Sequence, residues 1–167
     1  MARIGGKPQC ADPDPNARDE DGETPLHRVA LYNENPEVIK ALLDARASPN
    51  AQDEDGKTPL HWAVVNENPE VIKALVDAGA DPNARNRLGS TPLHDTVRHS
   101  NPEVIKALVD GGADPNAQDW HGRTPLHLAV SLSEDPEVVK ALLGGGADPN
   151  ARDDKGITPP RRETQRA

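Results

Sequence analysis

The sequence predicts an all-α solenoid of stacked helix-turn-helix units, and three observations carry that reading. Thr-Pro-Leu-His occurs at Thr24–His27, Thr58–His61, Thr91–His94 and Thr124–His127, at offsets of 34, 33 and 33 residues, and a degenerate copy, Thr158-Pro159-Pro160-Arg161, follows 34 later. Pro-Asn-Ala begins at Pro15, Pro49, Pro82, Pro115 and Pro149, and Pro-Glu-Val begins at Pro36, Pro69, Pro102 and Pro136. Three separate phrases keeping one period mark an array in which each unit buries its apolar flank on its neighbours.

Each unit reads as helix, turn, helix, extended loop. In the second, Thr58 caps the first helix and Pro59 takes its first position, where a missing N–H costs nothing. That helix is expected over Pro59–Asn66. Asn68 caps the second helix, Pro69 again opens it, and Glu70 sits in the first turn, where the helix dipole favours an anion. Glu70 and Lys73 are spaced to pair on the solvent face, a contact worth a few tenths of a kcal/mol. Ile72, Leu75 and Val76 fall on one face, and Gly79 supplies the left-handed residue that ends the helix. Asp81 to Ser90 forms the polar connector, with Gly89 at its turn.

Four units are complete: about Asp21–Glu54, Asp55–Arg87, Leu88–Trp120 and His121–Asp154. Residues 1–20 form an N-terminal tail and orphan repeat loop, and 155–167 a truncated fifth repeat and C-terminal tail, with Arg161-Arg162 replacing the apolar phrase. Units one and four carry one extra residue between the His and the Pro of the second helix (His27 to Pro36 against His61 to Pro69), which is expected to bulge the turn between helices. Unit one has Arg46 and Ser48 where the others have Gly and Asp. A non-Gly residue in a left-handed position costs on the order of 1 kcal/mol, making unit one the looser edge.

Composition bounds the function. The 167 residues include 28 acidic and 19 basic side chains, a formal charge of -9. That balance disfavours nucleic acid and anionic membrane surfaces, both of which ask for a basic footprint. With 34% hydrophobic residues, no run approaches the roughly 20 that span a bilayer. Tyr32, Trp62 and Trp120 are the aromatics and Phe is absent, so the core is thin and built from Leu, Val, Ile and Ala. Cys10 stands alone, which excludes an intrachain disulfide and disfavours a thiolate zinc site. The opening Met-Ala-Arg-Ile-Gly-Gly has no apolar stretch of the secretory kind, and a reducing cytoplasm is the expected location.

The unit resembles the ankyrin repeat. The residues that carry the resemblance are Gly-x-Thr-Pro-Leu-His at Gly22–His27, Gly56–His61, Gly89–His94 and Gly122–His127, and Gly-Ala-Asp-Pro-Asn-Ala at Gly79–Ala84, Gly112–Ala117 and Gly146–Ala151. Together they cover about Asp12 to Thr158. The resemblance implies an L-shaped unit with stacked helix pairs and projecting β-hairpin loops, serving as a noncatalytic protein-interaction module without a cofactor. Pro15, Pro49, Pro82, Pro115 and Pro149 stand where the family usually has Val. Proline lacks a donor, so short, weakly paired hairpins are expected. Asn50, Asn83 and Asn116 resemble a position hydroxylated in some animal ankyrin proteins. The near-identical phrases beginning at Asn33 and Asn66 suggest recent duplication, a trait associated with bacterial ankyrin proteins. A self-associating array fragment, or a bacterial effector or inhibitor that regulates a target protein, is the alternative reading.

Metal and catalytic chemistry find little support. His27, His61, His94 and His127 recur once per unit, hence about 10 Å apart, against metal–ligand bonds near 2 Å. In ankyrin repeats this His makes a structural hydrogen bond between loop and helix. Asp12, Asp14, Asn16, Glu20 and Glu23 echo the first, third, fifth, ninth and twelfth positions of a calcium loop, but the Gly of the sixth position is missing. No nucleophile elbow or phosphate-cradling loop appears, Gly144-Gly145-Gly146 reads as a helix end, and Cys10 has no neighbouring base.

Comparison of the units with one another separates scaffold from surface. The tips of the connectors and the end of the first helix vary, and by the resemblance these line the concave face. The contact candidates are Glu20, Asp21, Glu23, Leu31 and Tyr32 around the first tip and helix end, and Glu54, Asp55, Lys57, Val65 and Asn66 around the second. Arg87, Leu88, Ser90, Arg98 and His99 follow around the third, with Trp120, His121, Arg123 and Leu132 around the fourth. Acids dominate the first two units, while Arg85, Arg87, Arg98 and Arg123 dominate the last two, a polarity that would steer and register a partner. Trp120 is the leading hot-spot candidate, and Trp62 reads as mainly structural. The expected partner is a protein of unstated identity, with weak homo-association through the repeat ends as a lesser possibility.

Overall fold

The structure is a computed structural model that describes residues 14–99, 101–133 and 135–159. Its eight helices, all those among the described residues, run in pairs: α1 (Pro25–Tyr32) with α2 (Pro36–Asp44), α3 (Pro59–Ala63) with α4 (Pro69–Asp77), α5 (Pro92–Thr96) with α6 (Pro102–Asp110), and α7 (Pro125–Leu132) with α8 (Pro136–Gly144). First helices pack on first helices in chain order and second helices on second helices, giving two layers in one row. Among the described residues no helix is long and apolar enough to cross a membrane. Cys10, Asp12 and Pro160-Arg161-Arg162 lie outside the described residues.

The local signals act where the sequence places them. Proline opens every helix, and the second helices are capped by Asn35, Asn68, Asn101 and Asp135, each accepting the N–H two residues on. Lys73 pairs with Glu70 at 2.7 Å, and Gly79 ends α4 at φ 87°. Arg46 occupies the same left-handed position at φ 69°, the strain expected of unit one.

Two local expectations are corrected. Helix one of the second unit stops at Ala63, not Asn66, and the extra residue of units one and four does not bulge the turn. It lets the first helix run on: α1 and α7 have eight residues, α3 and α5 five. In the shorter spacing of the second unit the chain must double back sooner, and Glu67 takes a left-handed φ of 62° to do so.

The core is a row of aliphatics. Leu26, Leu60, Leu93 and Leu126 come from the first helices, and Ile39, Ile72, Ile105 and Leu142 from the second, all buried. Burying each contributes roughly 1.5–3 kcal/mol, and the repetition supplies what the missing aromatics do not. The connectors contain no strand among the described residues. Each closes with pairs such as Asp53 N–H to Lys57 C=O at 2.9 Å and Gly56 N–H to Asp53 C=O at 3.0 Å.

Polar rungs tie unit to unit. Asn16, Asn50, Asn83 and Asn116 each use both ends of the amide: Asn83 donates to Gly112 C=O at 2.9 Å and accepts from Asp114 N–H at 2.7 Å. The other three repeat the pattern one unit along.

Candidate functional site

The tips are built by three devices. An Asx residue opens each: Asp53 Oδ1 accepts from the N–H groups of Asp55 and Lys57, and Asp19, Asn86, Asp119 and Asp153 do the same in their loops. A left-handed glycine then turns the chain. Finally, one backbone bond links successive tips: Glu54 N–H to Asp21 C=O, Arg87 to Asp55, Trp120 to Leu88 and Asp154 to His121, at 2.9–3.2 Å. The residue that donates each link lies against the glycine of the preceding tip. A Cβ on Gly89 would sit 2.7 Å from Trp120 Cδ2 and 2.9 Å from its backbone nitrogen.

The four histidines hold the tips to the helices. His61 Nδ1 accepts from Thr58 N–H at 3.1 Å, so the ring proton is on Nε2, which donates to Ser90 C=O of the next loop at 3.2 Å. His27, His94 and His127 reach Lys57, Arg123 and Ile157 in the same way. Both nitrogens of every ring are occupied, which leaves none for a metal. Burial holds His27 and His94 below the usual imidazole range and His61 down to about 4, against the partial compensation of the carbonyl contact. Among the described residues no three His, Cys, Asp or Glu side chains converge. In the calcium-like stretch, Asp14 Oδ1 takes the Asn16 N–H and the Asn16 amide is spent on Arg46 and Ser48.

The contact candidates fall into distinct situations. Tyr32, Leu88, Trp120 and Leu132 stand 73%, 69%, 63% and 53% exposed, and Val65, just past the end of α3, is exposed too. Glu20, Asp21, Glu54, Asp55, Arg87, Arg98 and His121 are exposed, while Glu23, Leu31 and His99 are half-buried. Others serve the scaffold. Ser90 is buried. Asn66 donates to the carbonyls of Ala30 and Asn33 at the end of α1. Lys57 is half-buried with its ammonium 5.3 Å from the Trp62 ring centroid, and Trp62 donates to Asp53 Oδ2 at 2.9 Å, a structural role as expected.

Arg123 is also committed. Its Nε and Nη2 both donate to Asp119 Oδ2, at 2.9 and 2.7 Å, and the Asp119 side chain is 1% exposed. Burial pushes that carboxyl up, but the guanidinium and two backbone N–H groups outweigh it and leave it below its ordinary value. The Asp119–Arg123 spacing is the sequence signal for this pair, but the same slots hold Asp and Lys, or Asn and Ser, in other loops, so the pattern alone does not single it out.

Two features had no sequence signal. Asp95, in the slot that holds Arg28, Trp62 and Leu128 elsewhere, is half-buried and its carboxyl is raised by burial. A groove of about 280 Å³ opens between α7 and the loop after α8, lined by Leu128, Leu132 and Ile157 together with Arg123, Ser131 and Asp153. The face offers apolar and ionic groups for contact. A family model described as ankyrin repeats (three copies) matches residues 7–86 and 79–153. No curated protein matches the chain.

Proposed function

Because the chain belongs to the ankyrin-repeat family, whose units generally serve protein–protein interaction, we propose that it is a noncatalytic binder taking a partner protein along its concave face, against the hairpin tips and first-helix ends. The observation that supports this reading is the division of labour between slots. Residues that recur in every unit are spent on caps, staples, rungs and core, whereas the variable slots leave Tyr32, Leu88, Trp120 and Leu132 more than half exposed, Trp120 even while its indole N–H is bonded to Arg87 C=O. Exposed aromatic and aliphatic side chains next to arginines are the usual anatomy of binding hot spots. A rigid scaffold lowers the ordering cost of binding, and the polarity from acidic to basic tips fixes the direction in which a partner lies.

The test is affinity capture with the full chain beside Trp120→Ala, followed by titration of the captured protein. A loss of at least ~1–2 kcal/mol on Trp120→Ala, without a change in folding, supports the face. Equal binding by both proteins places the contact elsewhere. Arg123→Ala is a poorer probe, since it also strips the buried Asp119 of its partner.

A second reading, association between copies, draws on the groove lined by Leu128, Leu132 and Ile157. Sedimentation velocity over a range of concentrations separates the two, because only self-association makes the size of the isolated chain depend on concentration.

A further inference from the structure

We infer that the third and fourth tips form a seat for an acidic protein segment carrying one large apolar side chain. That side chain lands on Leu88 and Trp120 while its neighbouring carboxylates meet Arg85 and Arg87. The inference rests on the protein-binding reading and adds the chemistry of the partner.

The slots argue first. One tip position holds Glu20, Glu54, Arg87, Trp120 and Asp154 along the array, and the next holds Asp21, Asp55, Leu88, His121 and Lys155. Every other occupant is charged or polar, so building a tip requires neither an indole nor an isobutyl group. Yet Trp120 and Leu88 stand 63% and 69% exposed, joined through the Trp120 N–H to the Leu88 carbonyl at 3.2 Å. The indole is held in place: it lies on Gly89 and donates its N–H to Arg87 C=O at 3.1 Å. With that donor satisfied, what the ring offers a partner is carbon. A large apolar surface already fixed in position binds with little further loss of entropy.

The charges argue independently. Arg18 and Arg152 hold the slot of Arg85 in their own loops, and each donates to its loop's glycine carbonyl, Gly22 at 3.0 Å and Gly156 at 3.3 Å. Arg85 instead has its Cζ 5.3 Å from the Trp120 ring centroid. Among the described residues neither Arg85 nor Arg87 makes an ion pair or a side-chain hydrogen bond, whereas Arg123 is spent on Asp119. Two guanidinium groups without an acidic partner, beside an apolar pair, suit carboxylates, which they can grip bidentately. Glu54 and Asp55 on one side and Asp154 on the other are exposed acids that confine an acidic segment to these two tips. A nucleic acid, charged along its whole length, runs into both flanks. Screening over about 8 Å at physiological salt lets the local cations decide the contact against the net charge of the chain.

The test is selection of a random-peptide display library on the immobilised full chain. Binding of the resulting consensus peptide is then titrated against wild type, Leu88→Asp, Trp120→Glu and Arg87→Glu. These substitutions give the later tips the residue types of the first two, and circular dichroism melts check that each variant stays folded, since Trp120→Glu also loses the indole bond to Arg87 C=O. The expected result is an Asp/Glu-rich consensus around a single Leu or aromatic residue, with affinity falling at least about tenfold on each variant. A basic consensus, a consensus indifferent to the three substitutions, or tighter binding of a single-stranded oligonucleotide at this seat would overturn the inference and leave the protein-binding reading standing. No enrichment on the wild-type chain above an unrelated immobilised protein would overturn both.

Discussion

Acid should loosen this protein through its buried histidine staples, and His61 gives the effect a magnitude. The Thr58 N–H aimed at Nδ1 and the Ser90 carbonyl met by Nε2 demand a neutral ring. A second proton would face the Thr58 N–H donor to donor. Burial carries the folded pKa from 6.5 to about 4. Between those values the unfolded chain binds the proton and the folded chain does not. Stability is therefore full above pH 6.5, falls as the pH drops, and levels off below 4. Linkage gives a loss of about 2 kcal/mol by pH 5 and about 3 kcal/mol by pH 4 from this residue. His27 and His94 are displaced in the same direction and add to the loss. Asp95, whose carboxyl is raised, works the other way, because its protonation favours the fold. Asp119, whose carboxyl is lowered, adds its own loss only at stronger acid. Urea unfolding of wild type and His61→Gln at pH 7.5, 6 and 5 isolates the histidine. The wild type should lose about 2 kcal/mol more than the variant between pH 7.5 and 5. Parallel losses in the two proteins would refute the neutral-staple argument.

Three further outcomes are expected. Arg46→Gly should raise stability by about 1 kcal/mol in urea unfolding, since the residue sits at φ 69° where the other units have glycine. Asn83→Ala should cost about 1–2 kcal/mol in the same assay by removing both bonds of one rung, while Asn83→Asp, which keeps the acceptor for Asp114 N–H, should cost less. Gly89→Ala should lower the thermal midpoint and alter the tryptophan fluorescence together, because the methyl group meets a left-handed φ of 73° and the Trp120 ring and backbone.

The helix starts, the period and the apolar row were legible in the residues because their causes are local. A Thr, Asn or Asp cap followed by Pro needs only the next turn of chain, and Gly79 needs only its own φ. The histidine staple was legible through the family resemblance rather than through spacing. The lengths of the first helices were not, since whether residues 64–66 stay helical depends on how soon α4 must pack against α2. For the seat on the third and fourth tips, Arg85, Arg87, Leu88 and Trp120 were legible as variable slots, but that Arg123 is bound to Asp119 while Arg85 and Arg87 lack an acidic partner among the described residues was not. Asn16, Asn50, Asn83 and Asn116 reach partners 29 to 32 residues away, and Trp120 meets Arg87 33 residues away. Those distances close only after the units stack. The same stacking commits Asn66 to the end of α1, and it lays an aromatic ring on Gly89 where the other tips lay a charged residue. Short-range capping and periodic burial set the module and its repetition from the order of residues alone. Which variable side chains remain free for a partner was decided by tertiary structure, because freedom depends on what the neighbouring unit has already claimed.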